Sequence, residues 1–200
     1  MNRKNMENET IKGRFLGTIF GQAVGDALGL STEFMSKQEV DRFYPNGIED
    51  YSQIVQDDHR RRWQRGDWTD DTDMMLCILE SFVACQKVDI LDIARRFKEW
   101  MMNGGMGIDR HTYCLDDEKS MGYTLRTLGA ALWAYWHATS YKEGILKIVL
   151  SGGDADTNAA VAGAILGAKF GINPIPEEWK DGLLYASMLY NKVQDLYSMV

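Results

Sequence analysis

The stretch Ile11–Leu30, IKGRFLGTIFGQAVGDALGL, decides how this chain folds. Its glycines stand at Gly13, Gly17, Gly21, Gly25 and Gly29, an unbroken spacing of four. Residues four apart share one face of an α-helix, so a helix over this stretch has a nearly flat side. Each glycine costs about 0.5–1 kcal/mol relative to alanine inside a helix, and only close packing against another element offsets the loss. A partner is present further along: Ala160, Gly163, Ala164, Gly167, Ala168 and Gly171 form a small-residue stripe in the helix expected from Thr157 onward. The two helices are expected to cross in contact. Gly-x-x-x-Gly repeats also mark paired membrane helices, but Lys12, Arg14, Gln22 and Asp26 interrupt this one.

Working outward, helical spacing of apolar residues recurs. It appears in Asp71–Gln86 through Met74, Met75, Cys77, Ile78, Leu79, Phe82 and Val83, and in Ile90–Met102 through Ile93, Ala94, Phe97 and Trp100. Tyr123–Ala138 carries Leu125, Leu128, Ala131, Leu132 and Tyr135; Tyr141–Leu150 carries Ile145, Ile148 and Val149; a last helix is expected from Glu177 to Tyr190. No hairpin signal or valine-rich strand interrupts them. The fold class is all-α, without repeats. Two long segments read as irregular, Tyr44–Trp68 and Asn103–Ser120, and loops of such length in a compact domain are usually functional or mobile.

A chain of 200 residues, 45% hydrophobic, supports one well-filled core, so residues 1–200 are expected to form one domain. The net charge of −7, with no basic run longer than Arg60-Arg61-Arg62, argues against nucleic acid as a partner. Cys77, Cys85 and Cys114 lack ligand spacing; Cys77 and Cys85 read as core thiols of a reducing compartment. The polar start, Met1–Thr10, and the lack of any span of roughly 18 apolar residues exclude a membrane helix and point to a cytoplasmic protein.

Two short acidic clusters then stand out, each at the expected start of a helix: Thr69-Asp70-Asp71-Thr72-Asp73 and Ser151-Gly152-Gly153-Asp154-Ala155-Asp156-Thr157. Asp and Thr cap helices well, but one cap needs one residue, and adjacent carboxylates repel one another unless a cation lies between them. Carboxylates with Thr hydroxyls, and no Cys or His beside them, make a hard-oxygen donor set suited to Mg²⁺, Mn²⁺ or Ca²⁺ rather than zinc. His59, His111 and His137 are scattered and read as surface or loop residues. Trp63 and Trp68 flank a Gly66-Asp67 turn, where stacking on a base competes with simple packing, and Asp116-Asp117-Glu118 reads as a solvated acidic loop or a helix start.

Three motifs in order resemble the ADP-ribosylglycohydrolase family: Gly21-Gln22-Ala23-Val24-Gly25-Asp26-Ala27-Leu28-Gly29 with Glu33-Phe34, then Trp68-Thr69-Asp70-Asp71-Thr72, then Gly152-Gly153-Asp154-Ala155-Asp156-Thr157. Trp179-Lys180-Asp181-Gly182-Leu183 is similar to the family's C-terminal end. The resemblance covers Ile11–Trp100 and Gly122 to about Leu189, and departs between them, where family members carry several more helices and this chain has only Met101–Met121. It implies a compact orthogonal helical bundle with shortened central helices. It also implies two divalent cations, Mg²⁺ or Mn²⁺, held by Thr69, Asp70 and Asp71 on one side and Asp154, Asp156 and Thr157 on the other, with Gly152 and Gly153 at the substrate. Glu33 matches the family's acidic residue that handles a proton at the glycosidic bond, while Asp26 and Asp73 orient the ligands. The implied substrate is an ADP-ribosylated protein or small molecule. A module that keeps the metals and binds ADP-ribose without cleaving it is the alternative, and a metal phosphohydrolase is a third reading.

Overall fold

A computed structural model of the chain describes residues 3–103 and 124–199. Among these are nine α-helices and no strand: α1 (Arg3–Gly29), α2 (Lys37–Phe43), α3 (Asp70–Cys85), α4 (Ile90–Met102), α5 (Thr124–His137), α6 (Tyr141–Val149), α7 (Ala155–Phe170), α8 (Glu177–Asp181) and α9 (Ala186–Tyr197). The all-α expectation holds.

The glycine face does what its spacing demands. A Cβ on Gly17 would lie 2.4 Å from the Gly167 carbonyl oxygen, one on Gly21 2.3 Å from that of Gly163, one on Gly25 2.1 Å from that of Ala159, and one on Gly29 2.4 Å from the Asp156 Cα. No side chain fits at those separations. The pairing steps up α1 and down α7 four residues at a time, so the two helices run antiparallel, side by side, over about 18 Å at the usual helical rise. Two details differ from the sequence reading. Gly13 takes part only through its backbone, whose carbonyl accepts from Ile172 N–H at 2.9 Å, since a Cβ there meets nothing within 4 Å. On α7 Gly163 and Gly167 of the expected stripe touch α1, as does Gly171 just past its end, but Ala159 rather than Ala160 leads the row and Ala168 is exposed.

This crossing sets the neighbours. Tyr141 of α6 is fully buried and donates its hydroxyl to the Gly21 carbonyl at 2.7 Å. Helix α5 lies on α7 through Ala131 and Ala134, each 0% exposed. Its larger residues Leu128, Leu132 and Tyr135 face outward, against the expectation from their spacing, because only alanine fits against so close a neighbour.

The expected last helix is broken and displaced. Gly182 ends α8 beneath the ring of Tyr51, and Leu184 N–H donates to the Gly66 carbonyl at 2.8 Å, so the chain turns before α9 begins. Tyr44–Trp68 is irregular as expected apart from single 3-10 turns at Tyr51–Gln53 and Arg60–Arg62. The short α2 was not foreseen, although Ser36 and Glu39 form its capping box. Cys77 and Cys85 are free and half-buried rather than core residues. Cys114, His111, Asp116-Asp117-Glu118 and the connection from Met101 to Met121 beyond Asn103 lie outside the described residues.

Candidate metal centre and active site

Antiparallel packing of α1 on α7 places the last turn of α1 beside the first turn of α7. The N-terminus of α3 is brought to the same point by one residue. Asp26, 0% exposed near the end of α1, accepts from the Thr69 backbone N–H (3.0 Å) and hydroxyl (2.7 Å) with Oδ1, and from the Thr72 backbone N–H (2.9 Å) and hydroxyl (2.6 Å) with Oδ2. A carboxylate of α1 therefore caps α3 from outside, which is why Thr69 makes no side-chain cap of its own. Gln22 adds a second tie, donating to the Asp71 carbonyl at 3.2 Å.

Three helix ends thus bring the two acidic clusters together. Asp26, Asp71 and Asp156 each offer an oxygen within 4.8 Å of the other two. Thr157 donates its hydroxyl to Asp71 Oδ2 at 3.1 Å, bridging α7 to α3 across 86 residues of sequence. Asp154 is the residue that precedes α7, and Asp70 opens α3. Because four hydrogen bonds fill the lone pairs of Asp26, the oxygens left for a ligand are those of Asp70, Asp71, Asp154 and Asp156, with the Thr69 and Thr157 hydroxyls behind them.

Electrostatics sharpen the picture. Burial raises Asp71 to about 8, Asp26 and Asp70 add repulsion, and the Thr157 hydroxyl opposes it. Asp26 is raised to about 6 by burial in spite of its four hydrogen bonds. Asp156 is raised well above its ordinary value, first by burial and then by Glu33, Asp71, Asp26 and Asp154. Asp70 is raised by burial and by Glu33 and Asp154. The set shares its protons rather than titrating residue by residue. Among the described residues no Lys or Arg forms an ion pair with any of these five aspartates. A buried group of carboxylates and hydroxyls without a counter-charge, and without thiol or imidazole, fits a hard divalent cation.

Glu33, only 8% exposed, is set against this group by the turn that follows α1. Phe34 N–H donates to the Gly153 carbonyl at 2.7 Å and Gly153 N–H returns the bond to the Met35 carbonyl at 2.9 Å, so the Glu33 turn and the Gly152-Gly153 turn are zipped together. Both glycines have positive φ, +72° and +71°. A Cβ on Gly152 would strike the Met35 carbonyl at 2.3 Å, whereas one on Gly153 would meet nothing within 4 Å. Gly152 is needed for packing; Gly153 leaves open space next to Asp154.

Sequence reasoning missed the residues that hold the turn from the other side. Arg60, 3% exposed, donates Nε to the Ser31 carbonyl at 2.8 Å and Nη2 to the Glu33 carbonyl, with Nη1 on Asp57. His59 is a loop residue, as expected, but half-buried rather than on the surface: its Nε2 lies 2.5 Å from Glu33 Oε2. The only available signal was the length and polarity of the irregular segment that carries both. Trp63 and Trp68 are buried, at 7% and 0% exposure, so packing prevails over base stacking. Asp73 accepts the indole N–H groups of Trp68 at 3.0 Å and Trp100 at 2.9 Å.

A family model described as ADP-ribosylglycohydrolase matches residues 7–119 and 109–200. The chain belongs to the ADP-ribosylglycohydrolase family. It is 22% identical over 297 aligned residues to an ADP-ribosylarginine hydrolase, Tri1, of Serratia proteamaculans, covering 92% of this chain and 78% of that protein. It is 24% identical over 280 aligned residues to the ADP-ribosyl-[dinitrogen reductase] glycohydrolase of Rhodospirillum rubrum, covering 87% of this chain and 91% of that protein. Both alignments are longer than the chain's 200 residues, so these relatives carry residues that it lacks. A solved structure titled ADP-ribosylglycohydrolase-related protein complex shares the fold, with a TM-score of 0.73 at 21% identity over 96% of this chain and 99% of that one.

Proposed function

We propose that this chain, working as one domain, is a metal-dependent hydrolase that cleaves the glycosidic bond between ADP-ribose and a protein or small-molecule acceptor. The observation that carries the reading is the meeting of two acidic helix starts and Glu33 at the end of α1, in a chain of this family whose relatives include an ADP-ribosylarginine hydrolase. Thr69, Asp70 and Asp71 on one side and Asp154, Asp156 and Thr157 on the other would hold two divalent cations, Mg²⁺ or Mn²⁺. Bound there, such ions supply Lewis acidity to a water and to the vicinal hydroxyls of the ribose.

The chain's own residues supply the rest. Glu33 handles a proton at the glycosidic bond, and its burial beside other carboxylates limits its exchange with bulk water. The open space at Gly153 lets a ligand approach the main chain beside Asp154, while Gly152 keeps that turn in register with the Glu33 turn. The N-termini of α3 and α7 add partial positive charge beside the carboxylates of their own first turns and so favour the ionised acids.

The test is product analysis with ADP-ribosyl-arginine and ADP-ribosyl-serine peptides, with Mg²⁺, with Mn²⁺ and with chelator. Ion-dependent release of intact ADP-ribose is expected. Tight binding of ADP-ribose without release would replace the hydrolase with a binding module, and AMP with ribose phosphate would replace it with a phosphohydrolase.

A further inference from the structure

We propose that His59 is the positioning residue of Glu33: an imidazole whose Nε2 hydrogen is donated to one carboxylate oxygen, so that the other oxygen is presented to the substrate. The inference rests on the glycosidase reading for the task Glu33 performs, but the contacts that carry it, among His59, Glu33 and Arg62, involve none of the aspartates.

His59 enters a 3-10 turn, Arg60–Arg62, that is tied at its start by Asp57. Asp57 Oδ1 accepts from the His59 N–H at 3.1 Å and the Arg60 N–H at 2.8 Å. The ring stands edge-on between two others, 5.0 Å from the Phe34 centroid at 62° and 5.3 Å from that of Trp63 at 61°, a geometry aromatic pairs favour. Its rotation is therefore restricted on both sides. The proton is assigned by a neighbour that can only donate. Arg62 Nη2 contacts His59 Nδ1, and because a guanidinium has no acceptor, a hydrogen bond there is one in which Nδ1 accepts and the ring hydrogen stands on Nε2. Arg62 is itself held, by Nε on the His59 carbonyl at 2.9 Å and by its cation face 4.7 Å over the Trp63 ring.

Nε2 then donates to Glu33 Oε2 at 2.5 Å, with the two side chains 22% and 10% exposed. Oε1 has no hydrogen-bond partner among the described residues. One oxygen is anchored and the other is free. The Glu33 backbone is fixed independently by Arg60, so loss of the His59 contact would release the side chain without releasing the turn.

The test compares His59→Phe, which keeps a ring between Phe34 and Trp63 but no donor, with His59→Gln, whose amide N–H reaches toward the same oxygen. Release of ADP-ribose is followed with the arginine and serine peptides, and the nitrogen NMR signals of the imidazole are read in the unliganded protein. His59→Phe should lower kcat about 10–100-fold, the usual cost of losing an outer orienting partner, with KM and melting temperature near the parent's. His59→Gln should regain most of that loss. The parent imidazole should show Nδ1 unprotonated and Nε2 protonated, with the Nε2 signal shifting in Glu33→Gln. Unchanged kcat in His59→Phe overturns the proposal. If the parent releases no ADP-ribose from either peptide, the hydrolase reading fails and the NMR signals alone judge His59. An Nδ1–H tautomer, or an Nε2 signal indifferent to Glu33→Gln, then overturns it.

Discussion

Asp26 carries more of the site than its single position suggests, because its two oxygens hold the backbone and hydroxyl of both Thr69 and Thr72. Asp26→Ala would leave up to four donors at the buried start of α3 unpaired, at roughly 1–3 kcal/mol for each that finds no water. The melting temperature should fall by about 2–4 °C for each kcal/mol lost, and divalent cations should no longer raise it. A variant that melts with the parent would show that α3 is held elsewhere. Glu33→Gln is the complementary substitution. The amide is nearly isosteric, so fold and metal binding should persist while ADP-ribose release falls on the order of 10²–10⁴-fold, the usual share of general acid–base catalysis. Full activity in that variant would remove Glu33 from the mechanism. At this scale the sequence marks the acids, since runs of carboxylates are chemically conspicuous. It does not mark His59 or Arg60, which are ordinary loop residues until folding sets them against Glu33.

At the scale of elements, the glycine face of α1 can be divided by single methyl groups. Gly25→Ala would place a Cβ 2.1 Å from the Ala159 carbonyl oxygen, so α1 and α7 must separate, and with them Asp26 from Asp156. Over-packing of this kind costs typically 1–3 kcal/mol, and bound metal should be lost along with stability. Gly13→Ala meets nothing within 4 Å and should instead stabilise α1 by about 0.5–1 kcal/mol. Denaturant melts of the two variants are the check; equal effects would refute the close antiparallel pairing. The regular spacing of glycines made the pairing legible. The exact row used on α7 was not, because Ala159 and Ala160 are equally small and only the rotation of the helix chooses between them. For the same reason the outward turn of Leu128, Leu132 and Tyr135 on α5 was hidden: apolar spacing identifies a face but not which face a close neighbour admits.

For the whole molecule, the acids at the meeting of α1, α3 and α7 should couple stability to pH and, if the centre holds metal as proposed, to divalent cations. Asp26 at about 6 and Asp71 at about 8 lie above the roughly 3.9 of an unfolded aspartate, so the folded state holds protons that the unfolded state has lost. Their contribution is complete below about pH 4 and is lost as pH rises across the range from about 6 to 8 in which the coupled group gives up its protons. In chelator the melting temperature should therefore be lower at pH 8 than at pH 5, and Asp71→Asn should flatten the difference. Added Mg²⁺ or Mn²⁺ should stabilise more at pH 8, where fewer protons compete for the oxygens. Equal melting at both pH values in chelator, with no response to ions, would argue against a metal centre. The all-α class, the α1–α7 contact and the two acidic clusters were determined by the sequence itself, because helical period, residue size and charge density are local properties of the chain. Which oxygens meet, which carboxylate is consumed in capping α3, and which histidine reaches Glu33 were decided only by the tertiary structure. Those outcomes depend on the antiparallel register of α1 on α7 and on the path of an irregular segment, and neither is written in any local pattern.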